Sequence, residues 1–151
     1  MVSLSKRMLF GFIAGAVSVV TFHAAVWALL HFLEIPGLTM PPPYPTDAIP
    51  PFGVPRIVSL SFWGGLWGLA FAAVWRGRRD SLWWGGLLLG LAAVVTGFTL
   101  VAALKGLPIG GNWAWNNWFR SILINGTWGL GVGIILLLIT RGTAMDRRIG
   151  D

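Results

Sequence analysis

Four apolar runs, each roughly as long as a bilayer is thick, constrain this chain more than any other feature. They extend from Met8 to Leu33, Arg56 to Trp75, Leu82 to Leu104 and Trp118 to Thr140. At about 1.5 Å of rise per residue, a helix of about 20 residues crosses a hydrocarbon core of about 30 Å. None of the runs alternates with period two, which excludes a transmembrane β-barrel. The expectation is an all-α membrane protein with one domain over residues 1–151. Its architecture is a four-helix transmembrane bundle with a proline-rich extracytoplasmic loop over residues 34–55. The first run begins after Lys6 and Arg7 and has small residues at Ala24 and Ala25, as a cleavable signal would. It then continues past Trp27 to Leu33, longer than a secretory apolar region, and reads as a retained anchor.

Composition supports the same class, since 56% of the 151 residues are apolar and only 11% are charged. The absence of cysteine removes disulfides, thiolate metal sites and cysteine nucleophiles. Five carboxylates and two histidines form no catalytic or metal-ligating pattern, which argues against an enzyme and supplies neither a catalytic nor a metal residue. The net charge of +6 does not point to nucleic acid, because the basic residues collect at the ends of the apolar runs. Eight of them, Lys6, Arg7, Arg76, Arg78, Arg79, Arg141, Arg147 and Arg148, fall on one side, and three, Arg56, Lys105 and Arg120, fall on the other. Basic residues favour the cytoplasmic side, so both termini are expected there. Trp75, Trp83 and Trp84 then lie at the inner interface and Trp113, Trp115 and Trp118 at the outer one, where indoles anchor at headgroup level.

Helices in lipid associate through small residues that let backbones approach. Every span offers a pair four residues apart: Gly11 and Gly15, Gly64 and Gly68, Gly86 and Gly90, and Gly129 and Gly133. Four such faces serve either one compact bundle or contacts with other subunits. The strings Phe62-Trp63-Gly64-Gly65-Leu66-Trp67-Gly68 and Trp83-Trp84-Gly85-Gly86-Leu87 look alike, and biased composition explains this more simply than duplication.

Polar residues inside the spans gather toward the outer half. His23, Ser61, Thr96, Thr99 and Asn125 are expected to form a buried polar cluster, with Thr21, Ser59 and Thr127 nearby. The inner half is nearly all small or aliphatic, which argues against an aqueous pore through one subunit. Eight of the nine prolines lie between Pro36 and Pro55. They imply a stiff, extended, polyproline-like strap lying on the helix ends or against a neighbour. Tyr44, Phe52, Arg56 and Arg120 are the expected contacts with partner or lipid. Either arginine also has Glu34 or Asp47 as an acidic partner in reach, and Asn117 is placed to cap the fourth helix.

His23 and His31 are the candidate ligand-binding residues. An ionisable side chain inside a span is costly and invites a functional reading. His23 is expected to be neutral and hydrogen-bonded to Asn125 or a threonine, with a proton, haem, quinone or lipid site as the alternative. Haem ligation needs a second imidazole from a facing helix, which one copy of the chain does not supply. His23 and Trp27 share the spacing of the His-Trp gate of the influenza proton channel, a resemblance over those two positions.

The strings Phe10-Gly11-Phe12-Ile13-Ala14-Gly15, Pro51-Phe52-Gly53-Val54-Pro55, Phe62 to Gly68 and Asn125-Gly126-Thr127-Trp128-Gly129-Leu130-Gly131 make the chain resemble a group of small four-span proteobacterial inner-membrane proteins. The resemblance implies a four-span bundle in a bacterial plasma membrane and brings no activity with it. The expected function is that of a non-catalytic accessory or structural subunit in a larger membrane assembly. A self-associating transporter or channel is the alternative, beside the ligand-binding reading of His23. No resident cofactor is expected beyond bound lipid, with haem or quinone as the lesser alternative, and the expected partners are membrane lipids, other membrane subunits or further copies of the chain.

Overall fold

A computed structural model describes residues 3–75 and 81–140. Four helices are long and apolar enough to cross a membrane: α1 (Leu4–Leu33), α2 (Arg56–Val74), α3 (Leu82–Leu104) and α4 (Trp115–Ile139). The protein is an all-α, multi-pass membrane protein. α1 begins at Leu4 behind Ser3, whose hydroxyl accepts from the Lys6 backbone N–H, and α4 begins at Trp115 rather than Trp118. Six of the basic residues used to orient the chain, Arg76, Arg78, Arg79, Arg141, Arg147 and Arg148, lie outside the described residues.

The chain forms two helical hairpins, α1 with α2 and α3 with α4, and all four glycine pairs lie inside them. A Cβ on Gly11 would overlap the Gly68 carbonyl, and one on Gly15 the Gly64 carbonyl. The second hairpin repeats this, with Gly86 against Gly129 and Gly90 against the Asn125 carbonyl, while Gly133 abuts Leu82. Without side chains the backbones touch, and the dispersion gained there replaces the hydrophobic drive that lipid removes.

The hairpins meet through α1 and α4. Ser18, fully buried, donates to the Trp128 carbonyl at 2.6 Å, and the Trp128 indole donates to the Gly15 carbonyl at 3.0 Å. A Cβ on Gly131 would strike Ser18 and Phe22, so a third glycine contact closes this joint. Ala14, Val19, Val132 and Leu136 pack around it as the main core.

α1 and α3 each contain one π turn, at Val19–His23 and Gly97–Val101. Such a turn inserts a residue, rotates the following face and loosens the local hydrogen-bond ladder. α1 has 30 residues and α2 only 19, about 45 Å against about 28 Å, so α1 projects beyond the start of α2. Residues 34–55 fill the resulting step. They do not run as an extended polyproline strap. After a left-handed Glu34 ends α1, a turn buries Leu38 with Leu30 and Ile124, and the segment folds back along α1. It finishes as a short antiparallel ribbon, β1 (Ala48–Ile49) with β2 (Val54–Pro55), leading straight into α2.

Candidate functional site

The strap is fastened on three sides by hydrogen bonds, most of them to its own carbonyls, which have no ladder partner in a loop. From α1, His31 Nδ1 meets the Met40 carbonyl at 2.8 Å and the Trp27 indole donates to the Pro41 carbonyl at 2.8 Å. Tyr44, itself in the left-handed region, donates its hydroxyl to the Val20 carbonyl inside the π turn at 3.1 Å. From α4, Asn116 donates to the Gly37 carbonyl at 3.2 Å and Arg120 to the Thr39 carbonyl at 3.5 Å. At α2, the Arg56 guanidinium donates twice to Asp47 Oδ2, at 2.9 and 2.6 Å.

These contacts sort the expected site residues. Arg56 takes Asp47, one of its two foreseen partners. Arg120 has no described acidic partner and instead links the strap to Asn117 Oδ1, 3.1 Å away. Asn117 does not cap α4: Ala114 holds the cap position, and the Asn117 amide donates to the Gly111 carbonyl in the preceding turn at 2.9 Å. His31 and Tyr44 act as strap fasteners, while Phe52, 87% exposed at the tip of the ribbon, touches little.

Among the described residues α2 and α3 barely meet, although the chain passes directly from one to the other. Near the chain termini the seam between them is shut, because the Trp75 ring lies on Gly85. Toward the two hairpin loops it is open. There α2 and the ribbon form one wall of a groove of about 950 Å³, with Lys105 at the end of α3 opposite. Leu60 and Trp63 line both this groove and a smaller cavity of about 160 Å³ behind it, which all four helices border. His23 and Asn125 reach that cavity between the indoles of Trp63, Trp67 and Trp128.

His23, the last residue of the π turn, is 9% exposed and stands 5.6 Å from the Trp27 ring. Among the described residues its nitrogens have no hydrogen-bond partner. The expected bond to Asn125 is not formed, since that amide donates to the Ser121 carbonyl one turn back on its own helix at 3.0 Å. The same physics dissolves the rest of the expected cluster. The Ser61 hydroxyl donates to Ile57 and Thr99 to Val95, and Thr99 lies on an exposed face. A short hydroxyl side chain four residues beyond a helical carbonyl reaches it without help from a neighbour. Thr96 is half-buried on α3, apart from the cavity lining. Only His23 and Asn125 of the five share a cavity.

Residues that were not among the expected site residues build much of this site: Trp63, Trp67 and Trp128 as walls, Ser18 as the joint and Lys105 at the rim. Gly131, a further small residue between Gly129 and Gly133 on α4, was the available signal for the joint. No protein-family model matches the chain, and neither the curated proteins nor the solved structures give a significant match.

Proposed function

We propose that the protein is a non-catalytic subunit of a larger bacterial inner-membrane assembly, with both termini in the cytoplasm and the strap outside. The observation that supports this most directly is the rigid presentation of the ribbon at the lip of an open seam. The strap hydrogen-bonds to α1, α4 and α2, yet it holds Phe52 almost fully exposed at its tip. An ordered, exposed aromatic outside the spans is the kind of anchor on which protein contacts depend, and it loses little freedom on docking. The resemblance to small proteobacterial four-span inner-membrane proteins accords with this reading.

Intact-mass measurement of the particle released from native membranes by a mild detergent tests it. The expected result is a hetero-complex that loses this subunit when Phe52 is changed to Ser. A lone monomer in wild type, or a Phe52→Ser complex as stable as wild type, refutes the reading. Orientation has its own test: an alkaline phosphatase fused at the C-terminus is expected to be inactive in cells.

A second reading is favoured by one observation, the unpartnered, nine-tenths-buried His23 facing a cavity with indole walls. It makes the cavity a site for a small hydrogen-bonding guest. His23→Ala would then remove a ligand that co-purifies with the wild-type protein, while leaving the hetero-complex intact.

A further inference from the structure

We infer that the groove between α2 and α3 is a defined site for one anionic phospholipid, with an acyl chain in the seam and the headgroup at Lys105 and Arg56. This inference does not rest on the accessory-subunit reading.

The groove is walled by the first turns of α2 and by the ribbon, with Lys105, just past the end of α3, facing them, so its occupant enters from the bilayer. Apart from Arg56, Ser59 and Lys105 its lining is apolar, with Val58, Phe62 and Trp63 of α2 exposed to it and Phe52 above. An empty apolar slot in lipid forfeits dispersion contacts that a hydrocarbon chain restores. The two cations are not scattered along it. Arg56 is the first residue of α2 and Lys105 directly follows α3, so both stand where the spans leave the hydrocarbon and headgroups begin. Arg56 and Lys105 contribute +2, Asp47 contributes −1, and +1 remains at the rim. Arg56–Asp47 is the ion pair present among the described residues, which leaves Lys105 unmatched there. That excess selects a phosphate-bearing, net-negative head over a zwitterionic one.

Shape decides against a polypeptide occupant. A helix is about 10–12 Å across and would need the seam open along the whole span. Trp75 on Gly85 shuts one end, so the slot is blind. A flexible chain can end at Trp63 and Leu60, beside the His23 cavity, whereas a spanning helix cannot end halfway across a bilayer.

The test uses the full-length protein reconstituted in vesicles of equal phosphatidylglycerol and phosphatidylcholine, released gently and weighed by native mass spectrometry. The expected result is one retained phosphatidylglycerol per chain. Lys105→Gln is expected to lower its retention about fivefold relative to phosphatidylcholine, the effect of one cation near a charged surface. Val58→Trp, which fills the slot from its exposed wall, is expected to lower retention of both lipids. Lys105 is exposed, so its substitution leaves the bundle folded and keeps the test decisive if Val58→Trp does not. Unselective retention, or retention unchanged in Lys105→Gln, overturns the inference. Capture of a protein rather than lipid by a photoreactive group at residue 63 in native membranes also overturns it, and by itself would strengthen the accessory-subunit reading.

Discussion

The two hairpins use the same code to pair their helices and differ in almost everything else. In each, two glycines of one helix abut backbone of the other, Gly11 and Gly15 on Gly68 and Gly64, Gly86 and Gly90 on Gly129 and Asn125. Each first helix also carries one π turn beyond its glycines. Yet the first hairpin is closed by the long strap of residues 34–55 and the second by the short turn of residues 105–114. α4 is the most buried of the four spans and α3 the least. The similar Trp-Gly strings fall on α2 and α3, the second helix of one hairpin and the first of the other, so they do not mark corresponding positions. Glycine spacing therefore fixes partners within a hairpin only. How the hairpins join is decided elsewhere, by Ser18, Trp128 and Gly131, and because the hydrogen bonds of that joint run between α1 and α4, the seam between α2 and α3 stays open toward the loops.

The largest effect is expected from breaking the shared code. Gly64→Leu and Gly86→Leu each thrust a side chain into packed backbone, and each is expected to cost about 3 kcal/mol or more. Thermal unfolding in detergent measures this. The comparison predicts equal severity in the two hairpins, with Gly97→Ala as the control, because no atom lies within 4 Å of a Cβ there and its effect stays within about 0.5 kcal/mol. Wild-type melting of either leucine variant would mean that its hairpin is not held at the glycines.

The next effect separates the joint from the hairpins. Trp128→Phe removes the bond to the Gly15 carbonyl and leaves a gap beside the zipper of the other hairpin, and a loss of about 1–3 kcal/mol is expected. Ser18→Ala removes one bond between helices, worth about 0.6 kcal/mol in a membrane. Disulfide trapping of paired cysteines across α1 and α4 should fall in Trp128→Phe, while trapping within each hairpin should not. A parallel fall in all of them would show that joint and hairpins are one cooperative unit.

The four spans and the glycine faces were legible because length, hydropathy and four-residue spacing are local properties of a chain. Two kinds of feature were not. Ser61, Thr99 and Asn125 looked like a shared cluster because their depth in the bilayer is readable, but the choice between a neighbour and the carbonyl one turn back depends on rotamer, which spacing does not encode. The site itself was hidden because it is made by a missing contact. Nothing in the sequences of α2 and α3 says that they stand apart, since each is as apolar as a packed helix, and His23 faces the cavity partly because a π turn shifts the register that an ideal helix would give it. Arg56 with Asp47 was readable as opposite charges near one loop, whereas the fastening of His31, Trp27 and Tyr44 to strap carbonyls depends on a fold-back that prolines alone do not specify.

The smallest effect tests whether the two loops differ in kind. Tyr44→Phe keeps the ring and deletes only the hydroxyl that reaches the Val20 carbonyl, so the loss is expected to be about 0.6 kcal/mol and not to shift the melt measurably. Its consequence should be local. Because this bond ties the strap to the π turn that carries His23, amide exchange should quicken across residues 38–49 and at residues 20–25, and stay unchanged in the turn before α4. Asn117→Ala is the matching change in the second hairpin, where the amide holds the Gly111 carbonyl. It should quicken exchange in residues 106–114 and leave the strap as it was. Exchange that spread from Tyr44→Phe into the turn before α4 would mean that strap and turn form one cap across the loop end, and the contrast between a fastened strap and an independent turn would fail.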